Sequence, residues 1–477
     1  MTQKTDKRFI TVSNRLPVVI RREEDEWTIA PGSGGLVTAL APVMRKNGGL
    51  WIGWAGCDDD APLEKLFGEF AGGQNYRLAA IPLSAEEIEL YYWNFANGAL
   101  WPLFHDLLGH CNFDLKSWLT YDLVNQRFAA RVAELHDQEE FVWVHDYQLM
   151  RVALHLRALG FRPPLAYFHH IPFPPFDLFR RLPWKEEIIR GLLEYDLLGF
   201  QTLHDRRNFV NTVATMIPEA EVLTRQRHFT LLSYNQKMIK VGHYPISIDF
   251  KEFDAMARSR KVDEAAWLLH ENLQERQLIL GIDRLDYTKG IPERFLAFER
   301  ALEKYPEMKR RVSLVQVVVP SRTLVPDYQD LKGVLDQLVG RINGRFGESC
   351  WQPIHYIFRS LDQVQLMAHY RTSEIALITP LRDGMNLVAK EYCACSVEDN
   401  GVLILSELAG AAAELGRFAI PVNPYDLEKT ADAIHRAFTM APEERRERMR
   451  ALRNQIRRHD VHHWVDIFVG AMPLDNG

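Results

Sequence analysis

Short apolar runs recur along this chain, and most of them stop at a polar turn that opens a helical pattern. The run Ile375-Ala-Leu-Ile-Thr-Pro380 has the unbroken hydrophobicity of a strand buried on both faces, as in a parallel sheet. It leads to the turn pair Asp383-Gly384, after which Leu387, Ala389 and Tyr392 begin a helix carrying Lys390 and Glu391. A strand, a tight turn and a helix start aim backbone N–H groups and a positive dipole end at one point, which favours phosphate. Asp383 and Glu391 add two carboxylates, the types that accept sugar and ribose hydroxyls in nucleotide-sugar chemistry. A plain βα turn with a solvated Glu fits the same residues, because short Gly turns are weak motifs.

The same unit returns in both halves. Phe9-Ile-Thr-Val-Ser13 ends at Arg15, Phe141-Val-Trp-Val144 at His145-Asp146-Tyr147, and Leu165-Ala-Tyr-Phe168 at His169-His170. Tyr195 to Gln201 is a further strand, and Leu203 to Met216 a helix. Leu278-Ile-Leu-Gly-Ile282 runs into Asp283-Arg-Leu-Asp-Tyr-Thr-Lys-Gly290, and Val312 to Val319 closes in Pro320-Ser-Arg322. Polar residues gathered at strand ends (Arg15, Asp146, His170) describe a cleft, where open α/β sheets bind ligands. His170 taken alone reads more commonly as a satisfied structural histidine. Arg284 and Lys289 suit a diphosphate, although a solvated basic loop is the alternative. Gly34-Gly35, just before a helix from Leu36 to Met44, is either a second phosphate turn or a flexible loop.

Trp51 and Trp54 read as core more readily than as a ligand platform, and the cluster from Tyr91 to Phe95 leading to Leu100 to His105 reads as packing by default, with sugar stacking as the alternative. A helix is expected from Gln148 to Leu159 and another from Leu361 to Thr372. The charged tail Pro442 to His459 reads as a solvated helical face. The alternation predicts an α/β chain of two doubly wound Rossmann-like domains facing each other across a catalytic cleft. The expected division is 1–240, 241–455, and a C-terminal helix in 456–477 that crosses back to the first domain.

Length supports that division, since 477 residues exceed one ordinary core. Lys+Arg 57 against Asp+Glu 63 gives a net charge of −6, which excludes a non-specific nucleic-acid binder. Cys57, Cys111, Cys350, Cys393 and Cys395 show no paired metal spacing and read as reduced thiols, which predicts a cytoplasmic protein. No signal peptide and no membrane-length apolar run is expected.

Together, Val12-Ser-Asn-Arg15, Ser33-Gly-Gly-Leu36, Trp51-Ile-Gly-Trp54, His145-Asp-Tyr147, His170-Ile-Pro-Phe-Pro174, Asp283 to Gly290 and Arg382 to Glu391 resemble the retaining glycosyltransferases that make trehalose 6-phosphate, family 20. The resemblance runs from about Arg8 to Val469. It implies a GT-B fold, a UDP-glucose donor, a glucose 6-phosphate acceptor, and neither metal nor other cofactor. Carried over, Arg284 and Lys289 bind the donor diphosphate. Gly34, Gly35, Leu361 and the backbone of Leu387, Val388, Ala389 and Lys390 complete the donor site, and Glu391 holds the ribose. Arg15 and Arg322 grip the acceptor phosphate beside Tyr92 and Trp101, Asp146 orients the acceptor sugar, and His170 and Asp383 contact the transferred glucose. The implied reaction is front-face transfer with the leaving diphosphate as base.

The partners implied are these small molecules, with no nucleic acid and no membrane; a homo-oligomer is left open. Departures are the charged stretch Arg21 to Asp25 and the doubled His169-His170. The phosphatase domain fused in some relatives is expected to be absent. A sister activity with glycerol 3-phosphate as acceptor, and a silent sugar-phosphate-binding regulator, are the rival readings.

Overall fold

The computed structural model describes residues 9–23, 26–32, 34–57, 61–137, 141–272, 276–321 and 326–472. Ser33 and Arg322, both in the expected site motifs, lie outside them. The chain forms two compact units. The first runs to Ile246 and resumes at Val461, and the second spans Ser247–Asp460.

The strands of the first unit are β1 (Phe9–Arg15), the hairpin β2 (Val18–Glu23) and β3 (Glu26–Pro31), β4 (Gly49–Trp54), β5 (Tyr76–Ala80), β6 (Phe141–His145), β7 (Leu165–Phe168), β8 (Leu197–Phe200), β9 (Glu221–Arg225), β10 (Phe229–Tyr234) and β11 (Lys237–His243). All but the hairpin form one sheet in the order β5-β4-β1-β6-β7-β8-β11-β10-β9. From β5 to β11 every pairing is parallel. The chain winds outward from β1 through β4 to β5, then returns to lay β6, β7 and β8 on the other side. The connections therefore diverge between β1 and β6, a switch point where doubly wound sheets open a crevice. β10 alternates half-buried and buried residues, as an antiparallel strand with one wet face does. The sequence reading ended the first domain at 240; β11 pairs with β8 out to His243, and the unit continues to Ile246.

The last helix, Val461–Val469, belongs to this first unit. Its Phe468 stacks on Trp143 at 4.6 Å, its Trp464 lies 5.1 Å from the same ring, and Trp464 Nε1 donates to the Tyr244 carbonyl. Such aromatic pairs add about 0.5–1.5 kcal/mol each beyond their buried area.

The second unit holds β12 (Gln277–Arg284), β13 (Val312–Val319), β14 (Ile354–Ile357), β15 (Ile375–Ile378), β16 (Val402–Ser406) and β17 (Ile420–Val422). They form a parallel sheet in the order β14-β13-β12-β15-β16-β17. Again the chain starts centrally, goes one way, and returns on the other side, so its switch point lies between β12 and β15. Helix faces bearing Phe295, Phe298, Ile434 and Phe438 cover the apolar strands.

Some elements differ from the sequence reading. The helix expected from Gln148 is a short turn, Tyr147–Leu149, followed by a helix only over Val152–Ala158. The helix expected from Leu361 begins at Gln363, because the Asp362 side chain caps it by accepting from Gln365 N–H. The tail helix Pro442–Arg458 is not simply solvated: Arg445 and Arg453 are both 4% exposed. Arg445 donates to the carbonyls of Ala437, Phe438 and Met440, and Arg453 to those of Cys393 and Ala394. The carbonyls Arg453 serves lie 59 and 60 residues away in the chain, so its burial leaves no local mark in the charged run.

Candidate active site

In the first unit the expected acceptor residues sit on either side of the β1/β6 switch point. Arg15 closes β1, and its guanidinium lies 4.5 Å over the Trp54 ring at the end of β4. Tyr92 meets the same Trp54 edge-on at 6.1 Å. Asp146 follows β6 with φ 75, outside the range most residues prefer, and its Oδ1 accepts the main-chain N–H of His170 at 3.1 Å. Trp101 packs against Tyr147 at 5.8 Å, beside Asp146 in sequence, and is 6% exposed. The Gly34 turn leads into the helix Gly35–Asn47 with φ 136, open to glycine and strained for other residues.

His170 follows β7 and is 2% exposed, with both ring nitrogens engaged by protein groups: Gln201 Nε2 at Nδ1, 3.3 Å, and His145 Nδ1 at Nε2, 3.0 Å. Burial, with a smaller push from His169, takes its pKa down to about 3, so the ring is neutral. His169 is likewise held near 3 by burial, between the Tyr167 hydroxyl and the Pro172 carbonyl.

In the second unit the expected donor residues gather at the β12/β15 switch point. Arg284 ends β12 with its side chain 51% exposed and Asp286 3.9 Å away. Lys289 sits in the turn that follows, and its ammonium meets Asp383 Oδ2 at 2.6 Å. The Asp383 turn is clamped on both sides: Leu381 N–H donates to the Thr288 carbonyl, and Gly410 N–H to the Asp383 carbonyl. Asp383 also accepts from Met385 N–H and Asn386 Nδ2.

Asn386 then caps the helix Leu387–Cys395 by accepting from Ala389 N–H. Capping leaves first-turn N–H groups and the positive dipole end at the turn. Glu391, one face of that helix away, accepts the Tyr370 hydroxyl at 2.7 Å. Burial raises its carboxyl pKa and the Tyr370 hydroxyl pulls it back part of the way. Each half-site thus offers charge of the sign its expected ligand needs.

The profile of glycosyltransferase family 20 matches residues 7–473. The chain belongs to glycosyltransferase family 20. The trehalose-6-phosphate synthase of Mycobacterium sp. (strain JLS) is 42% identical over 98% of this chain and 96% of that one. An alpha,alpha-trehalose-phosphate synthase (UDP-forming) from Burkholderia xenovorans, crystallised in complex with glucose-6-phosphate, superposes with a TM-score of 0.88 at 34% identity, covering 97% of this chain and 99% of that one. An E. coli structure described as trehalose-6-phosphate bound with UDP-2-fluoro glucose superposes at 0.85, with 36% identity over 97% and 98% of the two chains. The fold class is accordingly GT-B, an α/β chain with two Rossmann-like units.

Lys390 was expected only through its backbone; its ammonium lies 2.5 Å from Glu414. The imidazole of His170, expected at the transferred sugar, spends both nitrogens inside the protein. Leu361 lies ahead of its helix instead of opening it. Arg322 is outside the described residues.

Several site-building residues escaped the sequence reading. Arg294, 1% exposed, binds Asp283, Gln316, Thr379 and the Lys289 carbonyl, tying the phosphate-type turn to the sheet. Tyr370 and Gln201 were equally unremarkable as letters. Asn386 alone carried a signal, since Asn directly before a helical pattern is a capping residue. Among the described residues no group of three or more His, Cys, Asp or Glu side chains is placed to hold a metal ion. No helix among them is long and apolar enough to cross a membrane.

Proposed function

We propose that this chain is a retaining glucosyltransferase that moves glucose from UDP-glucose to glucose 6-phosphate, giving trehalose 6-phosphate and UDP. The observation that carries the reading is the gathering of Arg284, Lys289, the Asp383 turn and a helix N-terminus at one switch point of a family 20 chain. The named activity of the mycobacterial relative and the ligands of the Burkholderia and E. coli structures support it.

In this reading the donor diphosphate lies against Arg284, Lys289 and the first-turn N–H groups of Leu387 to Lys390, with its ribose on Glu391 and its glucose on Asp383. The acceptor phosphate takes Arg15 and Arg322, and its sugar takes Asp146, with Tyr92 and Trp101 as the wall. As the glycosidic C–O bond breaks, negative charge builds on the leaving phosphate, where fixed cations and amides stabilise it most. The acceptor hydroxyl attacks from the face the diphosphate is leaving, and its proton passes to a phosphate oxygen, so the anomeric configuration is kept. Positioning and charge complementarity supply the rate, with no protein carboxylate serving as nucleophile.

The test is UDP release and product structure with UDP-glucose plus glucose 6-phosphate or glycerol 3-phosphate. An α,α-linked disaccharide phosphate formed from glucose 6-phosphate is expected. Release with glycerol 3-phosphate alone would reassign the acceptor. Glucose 6-phosphate binding without any UDP release would make the chain a silent binder.

A further inference from the structure

Because β6, β7 and β8 are adjacent, the residues at their carboxyl ends form a row: His145, His170 and Gln201. They are 0%, 2% and 3% exposed. The direction of every hydrogen bond in the row is set from one end. Ile246 N–H can only donate, so the Gln201 atom 2.9 Å from it is the oxygen. The Gln201 NH2 then faces His170 Nδ1 at 3.3 Å, and that nitrogen must accept. His170 therefore carries its proton on Nε2 and donates to His145 Nδ1 at 3.0 Å. Both rings are neutral, since burial lowers both pKa values.

At the far end His145 Nε2 is buried with no hydrogen-bond partner among the described residues. An apolar ring would fill that space, beside Trp143 at 4.6 Å, without burying an unmet N–H. What an apolar ring cannot supply is the Nδ1 lone pair. The residue that lone pair holds is also the one whose main-chain N–H holds Asp146 Oδ1.

We infer that His145 is a positioning residue for acceptor transfer: by accepting from His170 it locks that ring and tautomer, and so the amide that sets the angle of the Asp146 carboxylate. The inference rests on the acceptor role proposed for Asp146.

The full chain carrying His145→Phe, His145→Asn, Gln201→Leu or the Phe/Leu pair tests it by steady-state kinetics, with thermal unfolding as a check on folding. His145→Phe keeps a ring and loses the acceptor; the KM for glucose 6-phosphate is expected to rise about tenfold with the UDP-glucose KM unmoved, the loss of about one hydrogen bond. His145→Asn returns an acceptor oxygen near the Nδ1 position and is expected to restore most of the loss. The double variant is expected to be no worse than the single ones, since both break one relay. An unmoved acceptor KM in folded His145→Phe, equal shifts in both KM values, or no rescue by Asn overturns the proposal. Should His145→Phe not fold, Gln201→Leu carries the same KM criterion. Should the wild type release no UDP at all, the functional reading fails instead. Nitrogen NMR of histidine-labelled protein then reads the relay directly: an unprotonated His170 Nδ1 supports it, and a protonated one overturns it.

Discussion

Lys289 Nζ stands 2.6 Å from Asp383 Oδ2, joining two turns 94 residues apart in the chain. The side chains are 14% and 9% exposed, so the ammonium is held in a fixed place. In the proposed function, a donor diphosphate would meet there a cation that needs little reorganisation.

Lys289→Ala and Arg284→Ala are each expected to lower kcat by about a hundredfold or more, the usual cost of removing one stabiliser of developing charge. Turnover near wild type in either variant would remove the leaving-group role from that residue.

Asp383→Ala leaves the largely buried Lys289 ammonium without this carboxylate and deprives Met385 N–H and Asn386 of theirs. A loss of about 3 kcal/mol is expected, by analogy with broken buried pairs. Urea unfolding measures it, as a lowered midpoint at an unchanged slope.

Tyr370→Phe keeps the ring and removes the hydroxyl that lowers the Glu391 pKa. With burial alone acting, that carboxyl protonates at a higher pH. With Glu391 holding the ribose as proposed, only its carboxylate form accepts two hydroxyls, so the donor KM of the variant is expected to climb at a higher pH than that of the wild type on acidification. Superimposable KM profiles would rule Tyr370 out of tuning Glu391.

Gly290 has φ 62, and a Cβ there would lie 2.2 Å from the Thr379 carbonyl oxygen. Gly290→Ala is expected to cost about 1–3 kcal/mol as backbone strain and to reduce kcat by displacing Lys289, its neighbour. A lowered melting temperature with full kcat would mean that the Lys289 turn tolerates the shift.

Arg453→Met removes the donor to the Cys393 and Ala394 carbonyls and one partner of Asp254. Burial alone would raise the Asp254 pKa, but hydrogen bonds from Arg258 and Arg453 outweigh it and the carboxyl lies below its ordinary value. Its contribution is therefore present above the ordinary carboxylate pKa and fades as pH falls through the lowered one. The stability gap between wild type and variant is expected to narrow below about pH 4. A gap that widens on acidification would contradict the pairing.

The strands were legible because a strand buried on both faces writes its own signal, as in Val312–Val319 and Leu197–Phe200. Arg15, Asp146, Arg284 and Asp383 were legible for a related reason: each polar residue comes directly at or just after such a run, and a parallel sheet sends those ends to one edge. Arg294 and Arg453 were not, since a buried Arg looks like a surface Arg until its partners are known, and those of Arg453 include Asp254, 199 residues away.

By itself, then, the sequence determined the alternation of strand and helix, the turns, and which side chains stand at strand ends, because each of these depends on neighbours within a few residues. Only the tertiary structure decided that β1 lies beside β6 and β12 beside β15. It alone paired Lys289 with Asp383, and it alone turned the His170 ring toward His145 and Gln201. Strand order is set by how crossovers bury apolar faces over the whole sheet, and hydrogen-bond direction by where a distant main-chain N–H points; neither quantity is local.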